Sequence, residues 1–338
     1  MAINKSSSYV LIHILNGRNT AATIAREMTD VDIRSVQRSL VRLIDLGLIK
    51  RNGGTNNPSY SVIYENLIVA PIADKFVEDE ARPESTLNSN IIDWIKTIPE
   101  AELEFILGYN KEAYKPRATD KKMTAKELEY LTIELSWKSS ALEGNTYTLL
   151  DTQLLLLEGI KAKNRTEFET QMVLNHKNAI SFIIENEDLF KNKIKFSTVE
   201  ELHRIISNNL GIESGVRKRV IRISASNYVP ITNQHTLREY AEKILTIISA
   251  IKNPTLKALL ALALMPYLQT FEDGNKRTGR MLANAILISS ISQGFSLRKI
   301  TARQLALAYL TFYEFNSLLE LSKLLASELG QIDTSIKG

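Results

Sequence analysis

Gln269-Thr270-Phe271-Glu272-Asp273-Gly274-Asn275-Lys276-Arg277-Thr278-Gly279-Arg280 lies between two apolar runs, Leu259 to Leu268 and Met281 to Ile288. Both runs read as buried helices. The first is too short to cross a membrane and stops at a polar, glycine-containing turn where a new helix begins. A helix N-terminus near Gly274 presents free N–H groups and the positive end of the dipole to an anion, and Gly274 lets a ligand approach the backbone. Arg277 and Arg280, three residues apart, share one helix face, and Asp273 is an oxygen ligand suited to Mg²⁺. The segment thus offers the parts of a polyphosphate clamp. The same residues would equally serve a Gly-Asn turn joining two core helices, with the arginines solvating its surface.

The stretch resembles the signature of the Fic (filamentation induced by cAMP) family, H-x-F-x-[DE]-G-N-[GK]-R-x-x-R, at eleven of twelve positions. The resemblance implies a mostly α fold, an all-helical core with a β-hairpin flap, and transfer of AMP from ATP to protein hydroxyls. In that scheme Arg277 and Arg280 hold phosphates, Asp273 holds Mg²⁺, and Gly274, Asn275 and Lys276 line the nucleotide. The departure is at the first position, where Gln269 stands in place of the family's catalytic histidine. An amide holds no proton near neutral pH, and losing general-base help typically costs about 10²- to 10⁴-fold in rate. Whether the chain is an enzyme is therefore open. Lys276 also occurs at this place in the Doc branch, which phosphorylates its target, so the orientation of the nucleotide is open as well.

A second motif precedes the first. From Thr124 an amphipathic helix carries Ala125, Leu128, Leu131 and Leu135 on one face and runs to Ser139-Ser140-Ala141-Leu142-Glu143-Gly144, where Gly144 stops it. Ser139, Glu143 and Gly144 fit [ST]-x-x-x-E-[GN], which resembles the inhibitory motif of class II Fic proteins. The resemblance implies that Glu143 pairs with Arg280, where the ATP γ-phosphate would otherwise be gripped. On residues alone, Glu143 is an exposed last-turn carboxylate.

The 338 residues, 44% hydrophobic and 24% charged, suit a globular chain of two domains. There is no cysteine, which excludes disulfides, thiolate catalysis and cysteine zinc sites; the four histidines are His13, His176, His203 and His235. His176 and His203 read as core groups, since no carboxylate at metal-site spacing accompanies them. No secretory leader or membrane-length run is apparent, so a cytoplasmic location without membrane contact is the expectation. The net charge of +4 permits nucleotide or nucleic-acid binding without requiring either.

Residues 1–66 read as a separate domain. Helices over Ser8 to Leu15 and Thr20 to Met28, and a third capped by Asp30 or Asp32 and running to Asp45, precede a hairpin with its tip at Asn52 to Pro58. This resembles the winged helix-turn-helix domain, which implies contact with double-stranded DNA through Arg34, Gln37, Arg38 and Arg42, with Ser35 beside them. The domain carries eight basic against five acidic side chains, a modest +3. A protein-docking module or homodimer contact is the other reading.

Residues 67–123 read as a helical connector, with helical spacing over Ile91 to Leu107 interrupted at Pro99 and a basic loop over 111–122; 124–330 would be the Fic domain, with its inhibitory helix at 124–145. Alternation around Val220 to Ile223 reads as a hairpin that resembles the flap of Fic proteins, which implies that a target protein docks along residues 217–230; a generic surface hairpin is the other reading. Leu305 to Leu325 reads as one helix and the last residues as frayed. Three readings follow: an autoinhibited, base-deficient adenylyltransferase binding ATP and Mg²⁺; a DNA-binding regulator with a nucleotide-sensing core; or a de-AMPylase in which Glu143 positions water.

Overall fold

Asn4, Thr20 and Asp32 each begin a helix by accepting a backbone N–H two or three residues into it, the usual work of short polar side chains at this position. They start α1 (Lys5–Leu15), α2 (Ala21–Glu27) and α3 (Ile33–Asp45). Val10, Leu11, Ile12, Ile24, Val36, Leu40 and Leu43 close a small core between them. Leu48 then leads into β1 (Ile49–Asn52), which pairs antiparallel with β2 (Ser59–Val62) from Ile49↔Val62 to Asn52↔Ser59. Arg34, Gln37 and Arg38 lie on the exposed face of α3, and Arg42 is half-buried.

The computed structural model describes residues 3–28, 31–54, 56, 58–108 and 122–329. The expected cap Asp30, the loop over 111–121 and the frayed end beyond 329 lie outside the described residues. The chain divides into two compact units, one of Met1–Leu107, Val220–Ile231 and Ala306–Glu320, the other of Gly108–Arg219, Thr232–Leu305 and Leu321–Gly338.

The first unit continues with α4 (Tyr64–Leu67), α5 (Asp74–Val77), β3 (Ser85–Thr86), α6 (Ser89–Thr97) and α7 (Glu100–Leu107), with Pro99 separating the last two. The predicted flap hairpin does not form. Only β4 (Tyr228–Val229) is a strand, and it pairs in parallel with β3. The reason is that the returning arm has other partners: Arg82 Nη2 donates to Ala225 O, Asn227 Nδ2 to Arg82 O, and Asn227 N–H and Ser226 Oγ–H to Glu314. Arg82 and Glu314 themselves form a buried ion pair. The single helix expected over Leu305 to Leu325 is two, α16 (Ala302–Phe315) and α17 (Leu319–Leu329). Asn316 turns left-handed at φ 56°, and Ser317 and Leu318 bond to carbonyls of Ala70 and Ile68 instead of continuing the helix.

The second unit holds α8 (Ala125–Ala141), α9 (Leu149–Glu158), α10 (Glu167–Glu185), α11 (Asp188–Lys191), α12 (Phe196–Ser207), α13 (Gln234–Ala250), α14 (Pro254–Leu268) and α15 (Asn275–Ile291). Thr124, Thr148 and Thr166 each cap a helix reciprocally with the acid three residues on. α14 and α15 contain the two apolar runs, the second half of the signature forms the start of α15, and both helices are buried almost all round. Among the described residues no helix is long and apolar enough to cross a membrane. Mostly helical content, as expected from the sequence, is what the chain shows.

α14 and α15 approach closely at Gly279, where an added Cβ would meet the ring of Pro266 at 2.5 and 2.9 Å. A pyrrolidine ring within a helix has nowhere to go. Gly279→Ala is therefore expected to destabilise the chain by about 1–3 kcal/mol. Gly294→Ala, whose added Cβ would meet the ends of two side chains, Leu131 Cδ2 at 2.5 Å and Asn284 Oδ1 at 2.9 Å, rather than a ring fixed in the backbone, should cost less. Urea denaturation of the two variants checks the order.

Candidate functional site

The turn between α14 and α15 is built by local bonds. Gln269 caps α14 in the left-handed region at φ 52°, and Gly274 caps α15 at φ +76°, a conformation natural to glycine. Asn275 ties the turn together, accepting Phe271 N–H at 2.9 Å and donating to Phe271 O at 2.8 Å. Asp273 Oδ1 accepts Gly274 N–H at 2.6 Å. No side chain caps α15, so its first-turn amides face the position where an anion is expected.

Two arginines leave that turn. Arg277, 3% exposed, donates from Nη2 to Asp273 Oδ2 at 3.1 Å. Arg280, fully buried, donates from Nε to Ser139 Oγ at 3.0 Å, and from Nη2 to Ser139 O at 3.1 Å and Glu143 Oε1 at 2.8 Å. Nη1 of each arginine is buried with no hydrogen-bond partner among the described residues. Buried guanidinium donors left unmatched are costly, and they suit an oxygen-rich anion.

Glu143 lies in the turn after α8, with Gly144 at φ +92° completing it. Its second oxygen is 3.5 Å from Lys276 Nζ. Burial pushes the Glu143 carboxyl up, but Arg280, then Lys276 and Arg277, outweigh it and hold the pKa below the ordinary carboxylate value. The structure therefore gathers Ser139, Glu143, Asp273, Gly274, Asn275, Lys276, Arg277 and Arg280 around one turn. The α3 residues Arg34, Gln37, Arg38 and Arg42 belong to the other unit.

Gln269 makes only internal bonds. Nε2 donates to Pro266 O at 2.7 Å, and Oε1 accepts from Asn275 Nδ2 at 3.2 Å. Its carbonyl accepts from Arg217 Nε at 2.7 Å, while Arg217 N–H donates to Thr270 O at 3.0 Å. This clamp by Arg217 was not legible in the sequence, where Arg217 stands in an alternating stretch with no motif. His203 stacks on Phe271 with ring centroids 3.8 Å apart and contacts Asp273 O through Nε2 at 2.9 Å. His176 contacts Ser139 Oγ at 2.9 Å.

Residues 193–287 match the model of the Fic/DOC family. This stretch is a Fic domain. It runs from α12 to most of α15 and holds the whole signature, while Ser139 and Glu143 precede it. Curated relatives include Protein adenylyltransferase Fic of Nematostella vectensis, 27% identical over 156 residues, covering 45% of this chain and 36% of that protein. Protein adenylyltransferase fic-1 of Caenorhabditis briggsae is 24% identical over 203 residues, 58% of this chain and 38% of that one. The chain thus spans little more than a third of the curated relatives it matches. Among solved structures, Fic-1 (aa134–508) from C. elegans shares the fold with a TM-score of 0.54 at 17% identity, covering 94% of this chain and 88% of that one. A Fic domain containing signaling protein from Bacteroides thetaiotaomicron does so at 0.51 and 20%, covering 68% and 92%.

Among the described residues no three His, Cys, Asp or Glu side chains gather as a metal site. Asp273, 68% exposed at the mouth of the Fic domain turn, suits a cation that takes one protein carboxylate and completes its shell with phosphate and water, as Mg²⁺ commonly does.

His176 and His203 are both held neutral by burial, their pKa values lowered to about 3 and about 4. Unfolded histidine titrates near 6.5, so between these limits the unfolded chain binds protons that the folded chain refuses. Their stabilising effect is present above pH 6.5 and is lost as the pH falls toward 4. Each is expected to add at most about 1.4 kcal/mol per pH unit to the slope of stability in that window. Urea denaturation from pH 7 to 4 checks this, and His203→Phe should flatten the slope by up to one proton.

Proposed function

We propose that the chain is a Fic-type protein that binds Mg·ATP, resembles protein adenylyltransferases, and is held in an inhibited, base-deficient state. The observation that carries this reading is Glu143 seated on Arg280 at 2.8 Å, beside two unmatched guanidinium nitrogens at a helix start. The α15 amides and Asn275 would hold the phosphate nearest the sugar, and Arg277 and Arg280 the outer ones. Asp273 would hold Mg²⁺, which when bound neutralises phosphate charge.

In adenylyl transfer a target hydroxyl oxygen bonds to the α-phosphorus, the bond to pyrophosphate breaks, and the hydroxyl proton passes to a base. Gln269 supplies none, and both ends of its amide are committed to Pro266 O and Asn275. Transfer is then slow, while binding is retained. Glu143→Gly is expected to tighten Mg·ATP about ten-fold, since a carboxylate and a terminal phosphate compete for one guanidinium. Arg277→Ala should abolish binding. Restoring Gln269→His in the Glu143→Gly background should raise transfer from α-labelled ATP by about 10²- to 10⁴-fold. Calorimetry with the transfer assay reads all three. Absence of binding in every form would overturn the reading.

A second reading concerns residues 1–66, and the observation favouring it is the arrangement of three helices and an antiparallel hairpin with Arg34, Gln37 and Arg38 exposed along α3. We infer a winged helix-turn-helix domain that lays α3 in the DNA major groove. Arg38→Ala is expected to weaken binding to duplex DNA and to lower the salt slope by about 1. Fluorescence anisotropy at several salt concentrations decides it, and a salt-independent result rejects it.

A further inference from the structure

His176 is fully buried on α10 and takes no part in the turn that forms the site. Its bonding fixes its tautomer. Nδ1 lies 2.8 Å from Met172 O and 3.2 Å from Ser140 Oγ, and a carbonyl only accepts, so Nδ1 carries the proton. Nε2 is then a bare acceptor, and Ser139 Oγ lies 2.9 Å from it. The serine hydroxyl must point its proton at the imidazole. Its lone pairs are left facing Arg280 Nε–H, 3.0 Å away.

We propose that His176 is a positioning residue that acts through the Ser139 hydroxyl to fix the Arg280 guanidinium in its resting orientation. Without the imidazole, a serine within a helix turns its hydroxyl to the carbonyl four residues earlier, here Leu135 O, and away from Arg280. With the imidazole in place, Ser139 offers Arg280 both Oγ and its backbone O, and Nη2 still has an N–H for Glu143. The guanidinium is thereby held in one plane with Nη1 left over. Ser139, His176 and Arg280 are each 0% exposed, so water offers no replacement for a lost partner. The relay thus tightens the Glu143 contact without touching Glu143. This regulatory meaning rests on the reading of Arg280 as an ATP-gripping arginine; the relay itself does not.

The first test needs no nucleotide. In wild-type protein, ¹⁵N NMR of His176 should show a protonated Nδ1 and a bare Nε2 from pH 5 to 8; a protonated Nε2 would overturn the proposal. The Arg280 Nε–H signal, assigned by its loss in Arg280→Lys, should exchange slowly with water in wild type. It should also stay slow in His176→Gln, whose amide oxygen still accepts from Ser139. In His176→Met and Ser139→Ala it should exchange about ten-fold faster, the worth of one buried hydrogen bond. Unchanged exchange in both folded variants refutes the relay. A second test titrates Mg·ATP into His176→Met with and without Glu143→Gly. Affinity should rise about three-fold when Glu143 is present and not when it is absent. An equal effect in both backgrounds would mean a general structural role and overturn the proposal. If no form binds nucleotide, the ATP reading fails, and the Arg280 exchange rates still decide the relay.

Discussion

A guanidinium buried to 0% exposure constrains everything around it. Taking the charge of Arg280 out of water costs several kcal/mol, which good partners must offset. The partners here are Ser139 and Glu143, more than 130 positions earlier in the chain. α8 is therefore required where it is, and so is the turn after it, which carries Glu143 and is completed by Gly144. α10 is drawn in by the same logic, because His176 makes the Ser139 hydroxyl an acceptor toward Arg280. Gly279, one position before Arg280, lets α15 lie against Pro266 closely enough for the arginine to leave the turn already buried.

The second constraint is at Gln269. A non-glycine residue at φ 52° is an uncommon conformation, kept only where its surroundings hold it. Arg217 holds the carbonyl, and the side chain bridges the end of α14 to Asn275. In the signature this position belongs to a base. The amide here accepts a hydrogen bond from Asn275, the residue that ties the turn together. On the proposed reading, binding and proton transfer are separated at this one residue, so the first is kept and the second discounted.

What the sequence made legible is what residues decide over three or four positions. The helix start at Gly274, the cap at Asp32, the start of α8 at Thr124 and the stop around Gly144 all depend on neighbours within one turn of helix. What it hid depends on distant partners. Val220 to Ile223 alternates like a strand, but the arm that follows is captured by Arg82 and Glu314, which no local pattern announces. The apolar period from Leu305 to Leu325 ignores the break at Asn316, because that break is made by Ile68 and Ala70. Lys276 reads as a nucleotide ligand in the linear motif and stands 3.5 Å from Glu143 in the fold. His176 is one more helical histidine until Ser139 is beside it.

On the proposed reading, the charges at the turn make occupancy exclusive. Arg277, Arg280 and Lys276 face two carboxylates, Asp273 and Glu143, and the start of α15 adds its partial positive charge. One surplus cation lets a small anion approach with Glu143 in place. A polyphosphate is different, for its outer group would have to share Arg280 with the carboxylate. Two unit charges of like sign about 4 Å apart repel by roughly 4 kcal/mol at an effective dielectric constant near 20. That exceeds what either anion gains from one more hydrogen bond to a shared guanidinium. The glutamate would then have to move, and Lys276, ion-paired 3.5 Å from its other oxygen, would add to what an incoming phosphate has to overcome.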